Sequence, residues 1–555
     1  MNSLPSKLRF YLSLSCIVVS LSLTQGFSLA DWPQWGGSDA RTMSSPEKGL
    51  ASAFEPGKRT REDLGMDLST AKNVRWVARL GSENYSAPVV SNGRVFVGTN
   101  DETPVDPRIA PTGGGQLRCL DETSGKEIWK LIVPRLEVDR SKVSEDFDDM
   151  NLGICSTATV KDRCVFIVTN RCEVLCLDVN GLADGNQGPF MDEDTFSLEP
   201  GATPMKLESN DADILWRFDM LRELPVFPHD AANCSVLVHG DFVYTCTANG
   251  VYDGKIVMPS APSLIALDKR TGQLVAKDDG HISADVFHGQ WSSPSLGTIN
   301  GRSLIFFGGG DGWCYAYEPI TERSPEPAIL KEVWRFDCNP PGYRARGDMK
   351  MDYWAILRDG SNGLMVDGKL ISPSEIIGTP VFYENRVYVT IGQDPVHGPG
   401  AGALSCIDPQ GQGDITRTGR IWQYCDIGRS MSTVSVADGL VFAAEQSGKV
   451  HCLDAKTGEL FWVQDTGEEI WASTLVADKK LYIGTRRGLV VLSADREGRE
   501  LADIRLGSAI WSAVTASNGT LFVASQRNLW AVKQDAKGSL AGGAENREIA
   551  PRKTL

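Results

Sequence analysis

Cys452-Leu453-Asp454-Ala455-Lys456-Thr457-Gly458-Glu459-Leu460-Phe461-Trp462 reads as the end of one β-strand, a tight turn through Thr457-Gly458, and a second strand that ends in tryptophan. The same phrase stands far upstream as Cys119-Leu120-Asp121-Glu122-Thr123-Ser124-Gly125-Lys126-Glu127-Ile128-Trp129. Each phrase follows a hairpin of the kind seen in Ser86-Ala87-Pro88-Val89-Val90-Ser91-Asn92-Gly93-Arg94-Val95-Phe96-Val97, where Asn-Gly between two apolar runs marks the turn. Aligned on that turn, copies start near Pro88, Thr157, Ser235, Pro294, Pro380, Val434, Thr474 and Val514, eight in all. Four short strands in about 40 residues cannot bury an apolar face alone, and radial repetition of such units makes a β-propeller. The expected fold is therefore all-β, an eight-bladed propeller with four-stranded blades.

The last copy ends at Leu529-Trp530-Ala531-Val532 without its Trp-terminated strand, and Asn73 to Leu80 supplies one unpaired strand before the first copy. The two chain ends are expected to complete one blade together, which removes open edges between the first and last blades. The organisation expected is residues 1–30 as a signal peptide, 31–72 as an N-terminal lead segment, 73–535 as the propeller and 536–555 as a flexible C-terminal tail. Trp76, Trp129, Trp216, Trp334, Trp422 and Trp462 end the fourth strands and are expected to pack between blades, each worth at most roughly 4 to 6 kcal/mol. Ala276 and Ala502 stand in that slot in blades three and seven, which predicts weaker seams there. The aspartates of the Leu-Asp phrase, Asp121, Asp178, Asp268 and Asp454, are expected to cap the following turn.

Lys7 and Arg9, the apolar run from Phe10 to Leu23 and the small residues Ser28-Leu29-Ala30 fit a secretory signal cleaved before Asp31. The expected location is exported, in the periplasm or cell envelope, without lipidation at Cys16 and without a transmembrane segment in the mature chain. A net charge of −15 with no basic cluster disfavours nucleic acid and anionic lipid. Of the 13 cysteines, Cys119, Cys176, Cys406 and Cys452 share one repeat slot with Ala266, Ala316 and Ala531 and read as small core residues. Cys155, Cys164, Cys172, Cys234 and Cys246 crowd blades two and three, where a disulfide of undetermined pairing has room.

Small residues begin the inner strands (Ser86, Gly378, Ser432, Ala472, Ser512) because eight strands converge on one axis. Trp291, Trp471 and Trp511 precede that position and break the rule. At the mouth of a central channel they either stack a planar ligand or plug the opening. The insertions 182–213, 338–374 and 392–402 carry polar candidates for a rim, which with neighbouring loops comprise Asp149, Asn151, His229, Asp230, Asn233, His288, Asp394 and His397.

The phrase Cys/Ala-x-Asp-x-x-Thr-Gly-Lys/Glu-x-x-Trp resembles the tryptophan-docking repeat of the pyrroloquinoline quinone (PQQ)-type propellers, whose members include quinoprotein alcohol dehydrogenases and the outer-membrane assembly lipoprotein BamB. Asp31-Trp32-Pro33-Gln34-Trp35-Gly36-Gly37 is similar to the leader of PQQ-like repeat proteins of the kind common in planctomycetes. For a dehydrogenase the resemblance implies PQQ stacked between a Trp floor and a disulfide of adjacent cysteines, a Ca²⁺ held by Glu/Asn/Asp, and an Asp base. No two cysteines are adjacent here, and no family metal ligand or catalytic Asp maps onto a matching local motif. The reading preferred from sequence is a binding or scaffold protein for an unknown protein or small-molecule ligand, with catalytic residues and metal ligands unassigned. The alternative is a PQQ- and Ca-dependent dehydrogenase acting on an alcohol or sugar.

Overall fold

A computed structural model describes residues 31–60, 66–135, 143, 147–199, 201–346, 348–358, 364–366, 368–392 and 400–540. The expected signal peptide, residues 1–30, with Cys16, and also Asp394, His397 and residues 541–555 lie outside them. Eight antiparallel blades follow one another around an axis, with first strands at Val89–Ser91, Thr159–Lys161, Leu237–His239, Ser295–Ile299, Val381–Tyr383, Ser435–Ala437, Leu475–Ala477 and Thr515–Ser517. Each begins within two residues of the position expected from the repeat. The ring closes as the unpaired ends require: Val74–Arg79 pairs antiparallel with Asn528–Val532, setting Trp76 opposite Ala531 and Val77 opposite Trp530.

The six strand-ending tryptophans hold the seams by one device. Each indole N–H crosses to a backbone carbonyl in the turn of the next blade: Trp76 to Glu122, Trp129 to Val179 and Trp216 to Lys269, each the residue after the turn Asp, and Trp462 to Asp495, all at 2.9 Å. Trp334 reaches Pro409 and Trp422 reaches Ala455 in the same way. The aspartate carboxylates accept from turn amides, as Asp454 does from Lys456 and Thr457 at 2.9 Å. Turn and seam are thus fixed by neighbouring atoms of one motif.

The seams without tryptophan are filled by other segments. Beside Ala276, Ala328–Ile329 adds a fifth, parallel strand and Leu330 joins the apolar cluster. Beside Ala502, the lead residues Leu50, Phe54 and Met66 enter the core, and Trp530 donates to the Pro56 carbonyl at 3.2 Å. Blades four and eight also gain fifth strands, from Gly413–Asp414 and Ser539–Leu540, so residues at the start of the expected tail are paired with Trp76 and Val77. The twelve described cysteines are free thiols; the crowded five are packed as small apolar side chains and form no bridge.

The lead segment does more than precede the ring. From Trp32 to Ser45 it travels round the axis and bonds to the inner strand of every blade in turn. Trp32 exchanges backbone hydrogen bonds with Val90, the Pro33 carbonyl accepts from Val160, and Asp39, Ala40, Thr42 and Met43 accept from Leu296, Phe382, Val436 and Val476 at 2.8–3.0 Å. The third blade is met by the Arg41 guanidinium, which donates to the Val236 and Pro294 carbonyls, and the eighth by Ser45, which donates to Ala516. Arg41 is fully buried, and burial pulls it down to about 10, so it stays charged at neutral pH. Gly37, at φ +77°, lies so close to the Trp32 ring that a Cβ there would sit 2.6 Å from it. The segment is an axial plug, and it turns a through-channel into a funnel with a floor.

Candidate functional site

Above the plug lies a cavity of about 330 Å³. Below it runs a belt at one register of the eight inner strands, Ala87, Thr157, Ser235, Ser293, Thr379, Thr433, Ser473 and Ala513, whose six hydroxyl-bearing members line the cavity. Hydroxyls of this belt accept the amide N–H of the preceding blade, at 2.8–3.1 Å from Ala87 to Thr157, Thr157 to Ser235, Ser235 to Ser293, Thr379 to Thr433 and Thr433 to Ser473. Where the strands come too close for a ladder of their own, side-chain hydroxyls satisfy the exposed donors. The two alanines of the belt pack with Met43 and Trp35 of the plug, and Trp35 anchors the floor by donating from its indole N–H to Thr379 Oγ1 at 3.1 Å.

Two residues earlier in each blade comes a second ring, formed by Tyr85, Cys155, Asn233, Trp291, Ile377, Met431, Trp471 and Trp511, and all eight line the cavity. The structure places the three tryptophans singled out in the sequence in this wall. Trp471 and Trp511 lie 5.3 Å apart with planes tilted by 42°. Their orientation is set by hydrogen bonds at the ring edge: Trp471 donates to Glu469 at 2.8 Å, and Trp291 donates to the Ala231 carbonyl at 3.0 Å. Asn233 Oδ1 and Ser512 Oγ are buried in the same wall without a hydrogen-bond partner. Tyr85, Ile377 and Met431 stand immediately before Ser86, Gly378 and Ser432 as the tryptophans stand before their small residues, and with Cys155 they escaped the sequence reading because only tryptophan was singled out at that position. Counting two positions back from the belt would have found them.

Among the expected rim residues, His229, Asp230 and His288 come together on the blade three and four loops. Their ligating atoms lie within 4.8 Å of one another, and Asp230 lines the cavity. Asn233 lies in the wall itself. Asn151 does not line the cavity: its neighbours Met150 and Leu152 do, while its side chain accepts from Arg135 at 3.3 Å. Asp149 pairs outward with Arg135 at 2.8 Å. The insertions are partly structural. Residues 182–213 pack on blade one, where Ser197 donates to the Ile132 carbonyl and Arg108 grips Asp211. From the insertion 338–374, Tyr343, Tyr353 and Ile371 form a small side cluster that leans on Phe287, next to His288.

The wall carries little charge. Burial pushes the Tyr85 hydroxyl and the Cys155 thiol well above their ordinary ranges, leaving both neutral, and among the described lining residues Asp230 alone bears a carboxylate and none is Lys or Arg. Behind the mouth, burial pushes Asp311 up to about 6 against the pull of the Tyr315 hydroxyl and Arg344. A carboxyl raised from 3.8 in this way favours the folded state below about pH 4, and that contribution is lost as pH rises through 6. Unfolding free energy is expected to decline through Asp311 between about pH 4 and 6, with a slope of at most roughly 1.4 kcal/mol per pH unit, and to level off above that. Asp311→Asn is expected to remove that component; an unchanged slope in the variant would contradict it.

Similarities to known proteins bear on the repeat. A family model described as "Outer membrane protein assembly factor BamB" matches residues 369–464, which span most of blades five and six. None of the curated proteins matches the chain. Solved structures with similarity include BamB from Moraxella catarrhalis (13% identity, 86% of this chain and 99% of that one, TM-score 0.48) and the computationally designed Ika8 protein (13%, 83% and 99%, TM-score 0.45). A third is the quinohemoprotein alcohol dehydrogenase from Comamonas testosteroni (15%, 92% and 82%, TM-score 0.42).

Proposed function

We propose that this chain, a PQQ-like β-propeller repeat protein, is an exported binding protein of the periplasm or cell envelope that holds a flat, largely apolar ligand in its axial funnel. The observation that carries this reading is the eight-residue ring, one residue per blade at a single register, in which three tryptophans and a tyrosine face a cavity closed below by the plug. Stacking between such rings adds roughly 0.5–1.5 kcal/mol per pair beyond the apolar area removed from water. Export is supported by the charged, apolar and small-residue succession of the first 30 residues, and no helix of the described residues is long and apolar enough to cross a membrane.

PQQ does not fit this wall. Three carboxylates would enter a largely apolar cavity whose described lining offers no Lys or Arg to pair with them and one carboxylate of its own, and unpaired buried charge is costly. A peptide added as a strand finds the outer edges of blades three, four and eight already covered.

The neutral fluorophore N-phenyl-1-naphthylamine is a suitable probe. Saturable binding at one site per chain is expected, weakened at least roughly tenfold in the Trp471→Ala, Trp511→Ala double variant. Non-saturable uptake, or equal affinity in the variant, would refute the funnel as the site. PQQ with Ca²⁺ is expected to give neither saturable binding nor dye-linked alcohol oxidation.

A further inference from the structure

The geometry points to a divalent transition-metal site at the mouth of the funnel, held by His229, Asp230 and His288. His229 Nε2 stands 3.4 Å from Asp230 Oδ1, and His288 Nε2 stands 3.5 Å from Asp230 Oδ2. Those separations are long for hydrogen bonds. Each separation is that of two ligands on one ion, since atoms about 2.0–2.1 Å from a tetrahedral centre lie about 3.4 Å apart; one carboxylate oxygen faces each imidazole, and one ligand atom from each of the three residues lies within 4.8 Å of the others. The imidazoles are 4.4 Å apart between centroids, both are buried, and Asp230 is half-buried.

The backbone is shaped to bring them together. Asp230 takes a left-handed conformation, φ +53°, unusual for a residue with a side chain and a recurrent feature of functional sites. Its carbonyl is held by the Asp148 amide at 2.8 Å, and the His288 carbonyl by Val251 at 2.9 Å. Gly250 lies between the two loops, where a Cβ would come within 2.6 Å of both His229 Cβ and the His288 carbonyl. Only glycine lets blades three and four approach this closely.

Two imidazoles and one carboxylate suit Zn²⁺ or Fe²⁺ and not Ca²⁺, which prefers an all-oxygen shell. Among the described residues three ligands converge, and a three-ligand site leaves a position open; Asp230 borders the cavity, which places the ion beside the ligand space near Trp291, whose ring lies 5.0 Å from that of His288. The ion would take a phenolic or carbonyl oxygen from the edge of a flat ligand. That last assignment rests on the funnel reading; the ion site itself does not.

The test is calorimetric titration of Zn²⁺ into tag-free, EDTA-stripped chain. One ion per chain is expected, with affinity lowered at least roughly 100-fold in the His229→Ala, His288→Ala double variant and at least tenfold in the isosteric Asp230→Asn, while His281→Ala binds as wild type. No Zn²⁺ uptake, uptake undiminished in the double variant and in Asp230→Asn, or Ca²⁺ bound in preference would overturn the site. N-phenyl-1-naphthylamine binding to the metal-free wild-type chain reports on the funnel separately, so either reading can fail alone.

Discussion

Trp129→Ala is expected to destabilise the protein by about 3–5 kcal/mol, the range for emptying a buried aromatic site. Trp129 is fully buried, packs against Phe96 at 5.8 Å, and its indole N–H satisfies the Val179 carbonyl. The variant leaves a cavity in the seam and a buried carbonyl without its donor, which adds to the cost. Trp462→Ala provides the comparison. Its ring makes the same bond to Asp495 but is only partly buried, so roughly half the loss is expected. Because Val74–Arg79 locks the last blade to the first, the weakened seam should lower the midpoint of one cooperative urea transition and not create a second. Equal losses for the two variants, or a separate early transition, would contradict this account of the seams.

Arg41→Met is expected to cost about 3 kcal/mol or more, although the replacement is apolar and similar in length. The guanidinium donates to the Val236, Pro294 and Trp35 carbonyls and to Gln34 Oε1 from a site with no solvent exposure. Each carbonyl left without a donor costs roughly 1–3 kcal/mol. Arg41→Lys should recover little, since one ammonium cannot span acceptors on blades three and four together with the plug's own turn. The loss should extend to the funnel: with Trp35 no longer anchored to Thr379, N-phenyl-1-naphthylamine should bind more weakly in the same variants. Normal probe affinity alongside normal stability in Arg41→Met would mean that the plug does not form the floor.

The ring was legible because its information is repeated. Eight turn signals and six strand-ending tryptophans each state the same local geometry, so the blade starts and the closing strand followed from spacing. The plug occurs once and has no period. Asp31 to Gly37 is recognisable as a conserved-looking leader only by resemblance, and nothing in the run to Ser45 announces that Arg41 will be buried on the axis. The site was legible in proportion to side-chain size. Trp291, Trp471 and Trp511 stood out against small neighbours, whereas Tyr85, Cys155, Ile377 and Met431 are found only by counting the same register in every blade. His229, Asp230 and His288 were each visible as loop residues; their convergence depends on how two successive blades pack about Gly250, which no local pattern encodes.

The claim on which the rest depends is that residues 31–47 stopper the ring and leave a one-ended funnel. Amide hydrogen exchange measures this directly at Val160, Leu296, Phe382, Val436 and Val476, whose N–H groups bond to Pro33, Asp39, Ala40, Thr42 and Met43. The account predicts exchange at the global unfolding limit for all five, collapsing to fast exchange when the segment is deleted. Fast exchange at these amides in the intact chain, or protection that survives the deletion, would show that the channel is open at both ends.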